Sequence, residues 1–290
     1  MSDAGGPIGL IAGSGRLPML VAQGIRRAGD RLVVVGIRGQ ADPALKGLAE
    51  SFHWAGIVRV GRWIRLLRRG GVRRAVMVGG VRKAAMYSPL RLLRYVPDVR
   101  TLRMWYRKCR HDHRDGVLLL AVTDELASEG IEIMSSVEYC QEHLADEGLM
   151  TRTPVPRGAA KDAQFGFEIA RRSAELDIGQ AVAVKEGDII AVEAMEGTEE
   201  MIRRAGQLCR QGGWTLVKVA RPNQDMRFDV PTVGPDTIRQ LKAARAGCLV
   251  LEAGRTLVLD KPETLDLADD MGIAVLGVRR KTGNANDRED

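Results

Sequence analysis

The sequence predicts an α/β fold in two parts, a parallel-sheet domain followed by a mixed α/β domain. Three observations carry this. An apolar run, Ile8–Ala12, passes through Gly13-Ser14-Gly15 into a helical pattern and then into a β-branched run, Leu32–Ile37. That strand–glycine turn–helix–strand order opens a parallel sheet of Rossmann-like type. A Pro- and Gly-bearing stretch, Leu149–Gly158 (LMTRTPVPRG), interrupts the pattern near mid-chain. Beyond it helical and strand patterns resume, and 290 residues suffice for two domains of the usual ~100–200 residues. The expected organisation is a Rossmann-like N-terminal domain over 1–148, a linker over 149–158, a C-terminal α/β domain over 159–280 and a polar tail over 281–290.

In chain order, Leu17–Ala28 has helical spacing, with Pro18 suited to a first turn. Gly56–Val60 reads as a short strand, Arg62–Arg69 as a helix, and Ala75–Val78 as a buried strand ending in Gly79-Gly80. Pro89–Lys108 is basic and partly helical, with Leu90, Leu93, Val96, Leu102 and Trp105 able to form an apolar stripe. Gly116–Glu129 reads as a helix and Ile131–Met134 as the strand closing the first half. In the second half, Asp162–Leu176 is helical, and Gln180–Lys185 and Asp188–Glu193 form a hairpin around Glu186-Gly187. Thr198–Arg210 is a helix with Thr198 as N-cap and Glu199 and Glu200 in its first turn. A strand at Thr215–Ala220, a helix at Asp236–Ala246, a hairpin of Cys248–Ala253 with Thr256–Asp260, a helix at Pro262–Met271 and a strand at Ile273–Val278 complete the pattern.

Composition narrows the function. The cysteines Cys109, Cys140, Cys209 and Cys248 form no C-x-x-C pair, so reduced thiols in a cytoplasmic protein are expected rather than a disulfide framework or zinc ribbon. The N-terminus lacks a basic region followed by a long apolar run, which speaks against a signal peptide. No apolar stretch approaches the ~18 residues of a membrane span. Charge is uneven: between Arg59 and Arg114 there are 17 Lys or Arg against two acids, Asp98 and Asp112, whereas the rest of the chain is net acidic. Such a block suits an anionic partner, whether a phosphorylated substrate, an anionic membrane surface or nucleic acid.

The stretches able to carry chemistry fall in both halves. The turn Gly13-Ser14-Gly15 precedes a helix N-terminus, where backbone amides and the helix dipole favour phosphate. The third glycine of a dinucleotide fingerprint is absent, Pro18 standing there, and no carboxylate ends the second strand. Arg38 keeps an NADP reading open. Gly79-Gly80 ends a buried strand, the place where open α/β sheets bind ligands, and Arg82 and Lys83 follow as phosphate-neutralising groups. Asp124 lies on an otherwise apolar helix, and Gln180 could face a ligand. Glu193 and Glu196 sit at a strand end and the turn after it. The loop after Thr215–Ala220 holds Gln224, Asp225, Arg227 and Asp229. A loop aspartate is a ready ligand for Mg²⁺, which takes one or two carboxylates and otherwise water and phosphate; Arg227 could hold a phosphate. His111 and His113 read as surface residues. No serine-nucleophile elbow, zinc-protease helix, Walker lysine or kinase signature is present.

Together, IGLIAGSGRLP, GGVRK, VTDELASEGIEI, KDAQFGFEIA, LDIGQAVAV, AVEAMEGTEEMIRR and VKVARPNQDMRFDVPTVGPDTI resemble the UDP-2,3-diacylglucosamine diphosphatases of the LpxI type, from lipid A synthesis. The resemblance runs from residue 8 to about 278. It implies that water attacks the pyrophosphate of UDP-2,3-diacylglucosamine at the β-phosphorus, giving UMP and 2,3-diacylglucosamine 1-phosphate (lipid X), with a divalent cation such as Mg²⁺. It further implies two domains holding the substrate between them, and Asp225 as the catalytic acid, acting as metal ligand or water base. Glu193 and Glu196 are the further metal candidates. Gly13, Ser14, Gly15, Gly79, Gly80, Lys83, Asp124, Lys161, Asp162, Gln180 and Arg227 are the substrate-binding candidates. The expected partners are the glycolipid nucleotide and the anionic cytoplasmic face of the inner membrane, with no nucleic acid, and a homodimer is left open. Two rival readings are an NADP-linked enzyme using Arg38 and a nucleic-acid binder stacking bases on Trp63, Trp105 and Tyr106.

Overall fold

Apolar runs that alternate with amphipathic stretches bury both by stacking strands side by side and laying helices over the faces. A computed structural model of the chain shows this arrangement twice. It describes residues 6–80, 96–109, 115–222, 225–227 and 230–279. The chain divides into two units between Gln141 and Glu142, and a short segment of the second half, Asp225–Asp229, groups with the first unit.

In the first unit β1 (Ile8–Ala12), β2 (Leu32–Ile37), β3 (Ser51–Ala55), β4 (Arg74–Val78) and β5 (Glu132–Ile133) form one sheet in the order β3-β2-β1-β4-β5. Every pairing is parallel. β1 and β2 are buried along their whole length, as continuous apolar runs require in a sheet covered on both faces. α1 (Leu17–Arg27) crosses from β1 to β2 and α2 (Val60–Arg69) from β3 to β4. α3 (Val99–Met104) continues as a π-helical turn, Trp105–Cys109, and α4 (Asp115–Ala127) precedes β5. One core joins Val33 and Val35 of β2, Trp63 and Leu67 of α2, and Ala121 and Leu126 of α4. The chain runs outward from β1 to β3 and returns on the other side to β4. The carboxyl ends of β1 and β4 therefore flank a topological switch point.

The second unit holds a six-stranded mixed sheet in the order β6-β13-β11-β9-β7-β8. Its strands are β6 (Gly148–Leu149), β7 (Ala181–Lys185), β8 (Asp188–Val192), β9 (Trp214–Lys218), β11 (Ala246–Glu252) and β13 (Ala274–Val278). β9, β11 and β13 run parallel, while β6, β7 and β8 run against their neighbours. Side chains alternate between faces with the period of two that strands impose. Ala181, Ala183, Leu216 and Leu249 meet α6 (Gly197–Leu208) and α7 (Pro235–Ala243). Val182, Val184, Val217 and Val250 meet α5 (Ala159–Glu175) on the other face. α8 (Lys261–Asp270) leads into β13.

Several expectations are corrected. The third strand is Ser51–Ala55; residues 56–59 form the turn into α2, and Val60 is the first residue of that helix. The stretch expected as a linker begins in the sheet, since Leu149 pairs with Leu276 of β13, and the division falls earlier. The hairpin of Cys248–Ala253 with Thr256–Asp260 does not form: β11 lies between β9 and β13, and β12 (Leu257–Val258) pairs in parallel with β10 (Thr232–Val233). Local alternation marks both as strands but cannot name their partners. α6 has Glu196 at its N-cap, not Thr198. Of the residues expected to form an apolar stripe, Val96, Leu102 and Trp105 are exposed, and Leu90 and Leu93 lie outside the described residues.

Candidate active site

Parallel strands bring their carboxyl ends to one edge, and the residues just past β1, β4 and β5 gather there. The two glycine turns are knit together: Gly13 N–H donates to the Val78 carbonyl at 2.8 Å, Ser14 N–H to the Gly80 carbonyl at 2.8 Å, and Gly80 N–H back to the Ser14 carbonyl at 2.9 Å. The Ser14 hydroxyl also donates to the Gly80 carbonyl at 2.8 Å. Only glycine fits this approach, because a Cβ on Gly13 would lie 2.7 Å from the carbonyl oxygens of Gly79 and Gly80. This revises the expected phosphate cradle. The Gly13 and Ser14 amides are spent on the neighbouring turn, which leaves Gly15 (φ +99°, with nothing within 4 Å of where a Cβ would stand) and the start of α1 as the surface a phosphate would meet.

β5 contributes the third feature. Ser135, just past its end, caps a 3-10 turn, Ser136–Tyr139, in a reciprocal capping box with Glu138. Its hydroxyl also donates to the Met226 carbonyl at 3.0 Å. That bond fastens the Asp225–Arg227 loop, from the second half of the sequence, to the carboxyl edge of the first sheet. Within the loop, Arg227 Nε lies 2.9 and 3.0 Å from Asp225 Oδ1 and Oδ2, and Arg227 Nη2 lies 2.6 Å from Oδ2. The Arg227 backbone N–H donates to Oδ1 at 3.1 Å. These guanidinium bonds, with the backbone bond, hold the Asp225 carboxyl below the usual carboxylate range against the opposing effect of burial. Arg227 in turn is raised, first by Asp225 and also by the charge of Asp124. Asp124 projects from α4 and takes Lys108 Nζ at 2.8 Å. The fold thus joins three candidates from distant stretches, Asp124, Asp225 and Arg227, and adds Lys108 and Ser135. Lys108 was hidden in the basic run, but the S-x-x-E of Ser135 and Glu138 could have been read as a capping box.

The second-unit candidates have other employment. Asp162, buried on α5, accepts from the backbone N–H groups of Glu186 and Gly187 at 3.0 and 2.8 Å. It clamps the β7–β8 turn, where φ is +53° and +83°. Glu193 is buried; the Thr198 hydroxyl donates to Oε1 at 2.6 Å, and the Gln180 N–H to Oε2 at 3.3 Å. Lys218 Nζ lies 3.4 Å from the Thr198 hydroxyl. Glu196 is bound by Arg204 Nη2 at 2.5 Å. Gln180 Oε1 is a buried oxygen with no hydrogen-bond partner among the described residues, and Lys161 is exposed in the first turn of α5. Among the described residues no group of three or more His, Cys, Asp or Glu side chains is placed to hold a metal ion. Arg82, Lys83, His111, His113, Gln224 and Asp229 lie outside the described residues.

Comparison with known proteins matches both halves. Residues 7–143 fit the family model of the LpxI N-terminal domain and residues 146–276 that of the LpxI C-terminal domain. The chain is 36% identical over 283 residues to UDP-2,3-diacylglucosamine pyrophosphatase LpxI of Caulobacter vibrioides, covering 93% of this chain and 97% of that protein. Among solved structures, a UDP-glucose-4-epimerase of Stenotrophomonas maltophila covers 96% of this chain and 78% of its own at 11% identity and a TM-score of 0.30. A biotin carboxylase domain of a thermophilic 2-oxoglutarate carboxylase covers 70% and 32% at 11% identity and a TM-score of 0.26. Likenesses this weak carry no argument.

Proposed function

The chain belongs to the LpxI family, and on that premise we propose that it hydrolyses the pyrophosphate of UDP-2,3-diacylglucosamine to UMP and 2,3-diacylglucosamine 1-phosphate. The observation that carries the reading is the Asp225–Arg227 loop, taken from the second half of the sequence and hydrogen-bonded through Ser135 to the carboxyl edge of the parallel sheet. That edge is where α/β sheets place their ligands. Water adds to the β-phosphorus, the bond from that phosphorus to the bridging oxygen breaks, and UMP leaves with the oxygen.

Hydrolysis at phosphorus needs neutralised phosphate oxygens and a positioned water. Arg227 is the neutralising group in reach of the acid. An arriving pyrophosphate offers its guanidinium a stronger partner than one carboxylate, and its move to phosphate frees an Asp225 oxygen. A carboxyl held below its usual range is a weak proton acceptor at neutral pH but is fully charged there. Asp225 therefore suits orienting water or binding a cation better than abstracting a proton. Among the described residues Asp225 is the carboxylate that fits the proposed Mg²⁺; a bound ion would polarise the phosphoryl oxygen, with its other positions left to water and phosphate. Glu193 and Glu196, engaged by Thr198 and Arg204, do not fit.

We place the enzyme in the cytoplasm, working on a lipid substrate at the inner face of the membrane. No helix among the described residues is long and apolar enough to cross a membrane. The test is UMP release from UDP-2,3-diacylglucosamine with Mg²⁺, wild type against Asp225→Ala. The expected result is release by the wild type and a loss of at least about 100-fold in the variant, with folding and substrate binding kept. Release that survives in the variant moves the site away from Asp225.

A further inference from the structure

We propose that the arginine-lined cleft between α2, α3 and α4 binds the phosphate headgroup of an anionic phospholipid, with the exposed apolar side chains of residues 96–106 resting on the acyl region beside it. The site is separate from the Asp225 loop, and the proposal rests on the reading that the enzyme works at a lipid surface. The cleft has a volume of about 1080 Å³. Its acids are already engaged: Glu129 with Arg68 and Arg100, Glu125 with Arg100, and Asp98 with the N–H groups of Thr101 and Arg62. Four further arginines on the same walls, Arg65, Arg69, Arg103 and Arg107, are exposed and meet no acidic partner among the described residues. Unpaired guanidiniums on facing walls repel one another, and a planar fork of donors is the group best matched to phosphate oxygens.

What selects a lipid over a free phosphate is the lip of the cleft. Val99 on its wall is 74% exposed, Leu102 52%, Trp105 45% and Tyr106 62%. Leu118 and Leu120 of α4 are exposed as well. Aromatic and aliphatic groups beside arginines are the composition of a surface lying in the headgroup–acyl boundary of an anionic bilayer. A site for a soluble anion has no use for the apolar lip.

The test is flotation of the full-length protein with vesicles of phosphatidylcholine alone and of phosphatidylcholine with phosphatidylglycerol. Wild type is compared with the double variants Arg103→Ala/Arg107→Ala and Leu102→Ser/Tyr106→Ser, each checked for an unchanged melting temperature. The expected result is binding to the anionic vesicles only, weakened about thirty-fold by removal of the two arginines and also weakened by removal of the apolar pair. Inorganic phosphate and glycerol phosphate, added at millimolar levels, should not displace the vesicles. Absence of binding by the wild type, unchanged binding by the arginine variant, or full competition by inorganic phosphate overturns the proposal; the last outcome makes the cleft a soluble-phosphate site. UMP release from detergent-dispersed substrate is measured in parallel. Vesicle binding without UMP release refutes the hydrolase reading and leaves the headgroup site standing, whereas release without vesicle binding does the reverse.

Discussion

Asp225 and Arg227 stand two residues apart and form a closed chelate, in which one guanidinium meets both carboxylate oxygens. Because the Asp225 carboxyl is held below its unfolded value, its ionised form favours the folded state. That contribution is present above the unfolded carboxylate pKa of about 3.9 and is lost as pH falls through the folded value. Removing the guanidinium reverses the shift: in Arg227→Met, the Asp225 carboxyl should titrate at higher pH than in wild type. Carbon-13 NMR of the labelled aspartates would follow this directly, and the acid limb of the residual UMP-release profile should move the same way. An unmoved Asp225 titration would mean that the pair does not form in solution. Glu193 shows why an acid's neighbours matter more than its presence in a motif. It is as conspicuous in the sequence as Asp225, yet it is buried under the Thr198 hydroxyl and serves the packing of its own unit.

The elements that position the site are the two glycine turns. Gly79 has φ +98°, and a Cβ there would sit 2.8 Å from the Gly13 carbonyl carbon and the Ser14 carbonyl oxygen. Backbone at that distance cannot swing aside as a side-chain end can. Gly79→Ala adds this clash to the penalty of positive φ and should therefore destabilise the protein by about 3 kcal/mol, read as a lower denaturant midpoint at unchanged slope. Gly15→Ala carries the penalty of positive φ without the clash, since nothing lies within 4 Å of its Cβ position, and should cost about 1–2 kcal/mol. Equal losses at the two positions would refute the close approach of the turns. The glycines were legible as turns in the sequence. That they brace one another, and so consume the amides expected to hold phosphate, follows from β1 and β4 being neighbours although they lie some sixty residues apart in the chain.

At the scale of the molecule, the chain builds two sheets and hands one segment of the second half to the first unit. Replacing residues 223–229 by a flexible Gly/Ser segment of equal length should leave both units folded, as judged by hydrogen exchange of β1, β2, β9 and β11, because its described residues, 225–227, belong to no strand of either sheet. UMP release should vanish all the same. Collapse of protection in the first sheet would show that the segment is structural rather than catalytic. The sequence by itself determined the α/β class, the parallel first sheet and the family, because burial on both faces writes continuous apolar runs and because strand, glycine turn and helix are local patterns. It also marked QDMRFDVP, with its two acids, as an expected loop, since acids and prolines cannot continue a buried strand. Only the tertiary structure decided which strands are partners, which of the acids are already engaged by a hydroxyl or a guanidinium, and which unit the Asp225 loop serves. Those outcomes depend on contacts between residues far apart in the chain, and a local pattern holds no record of the partner across the fold.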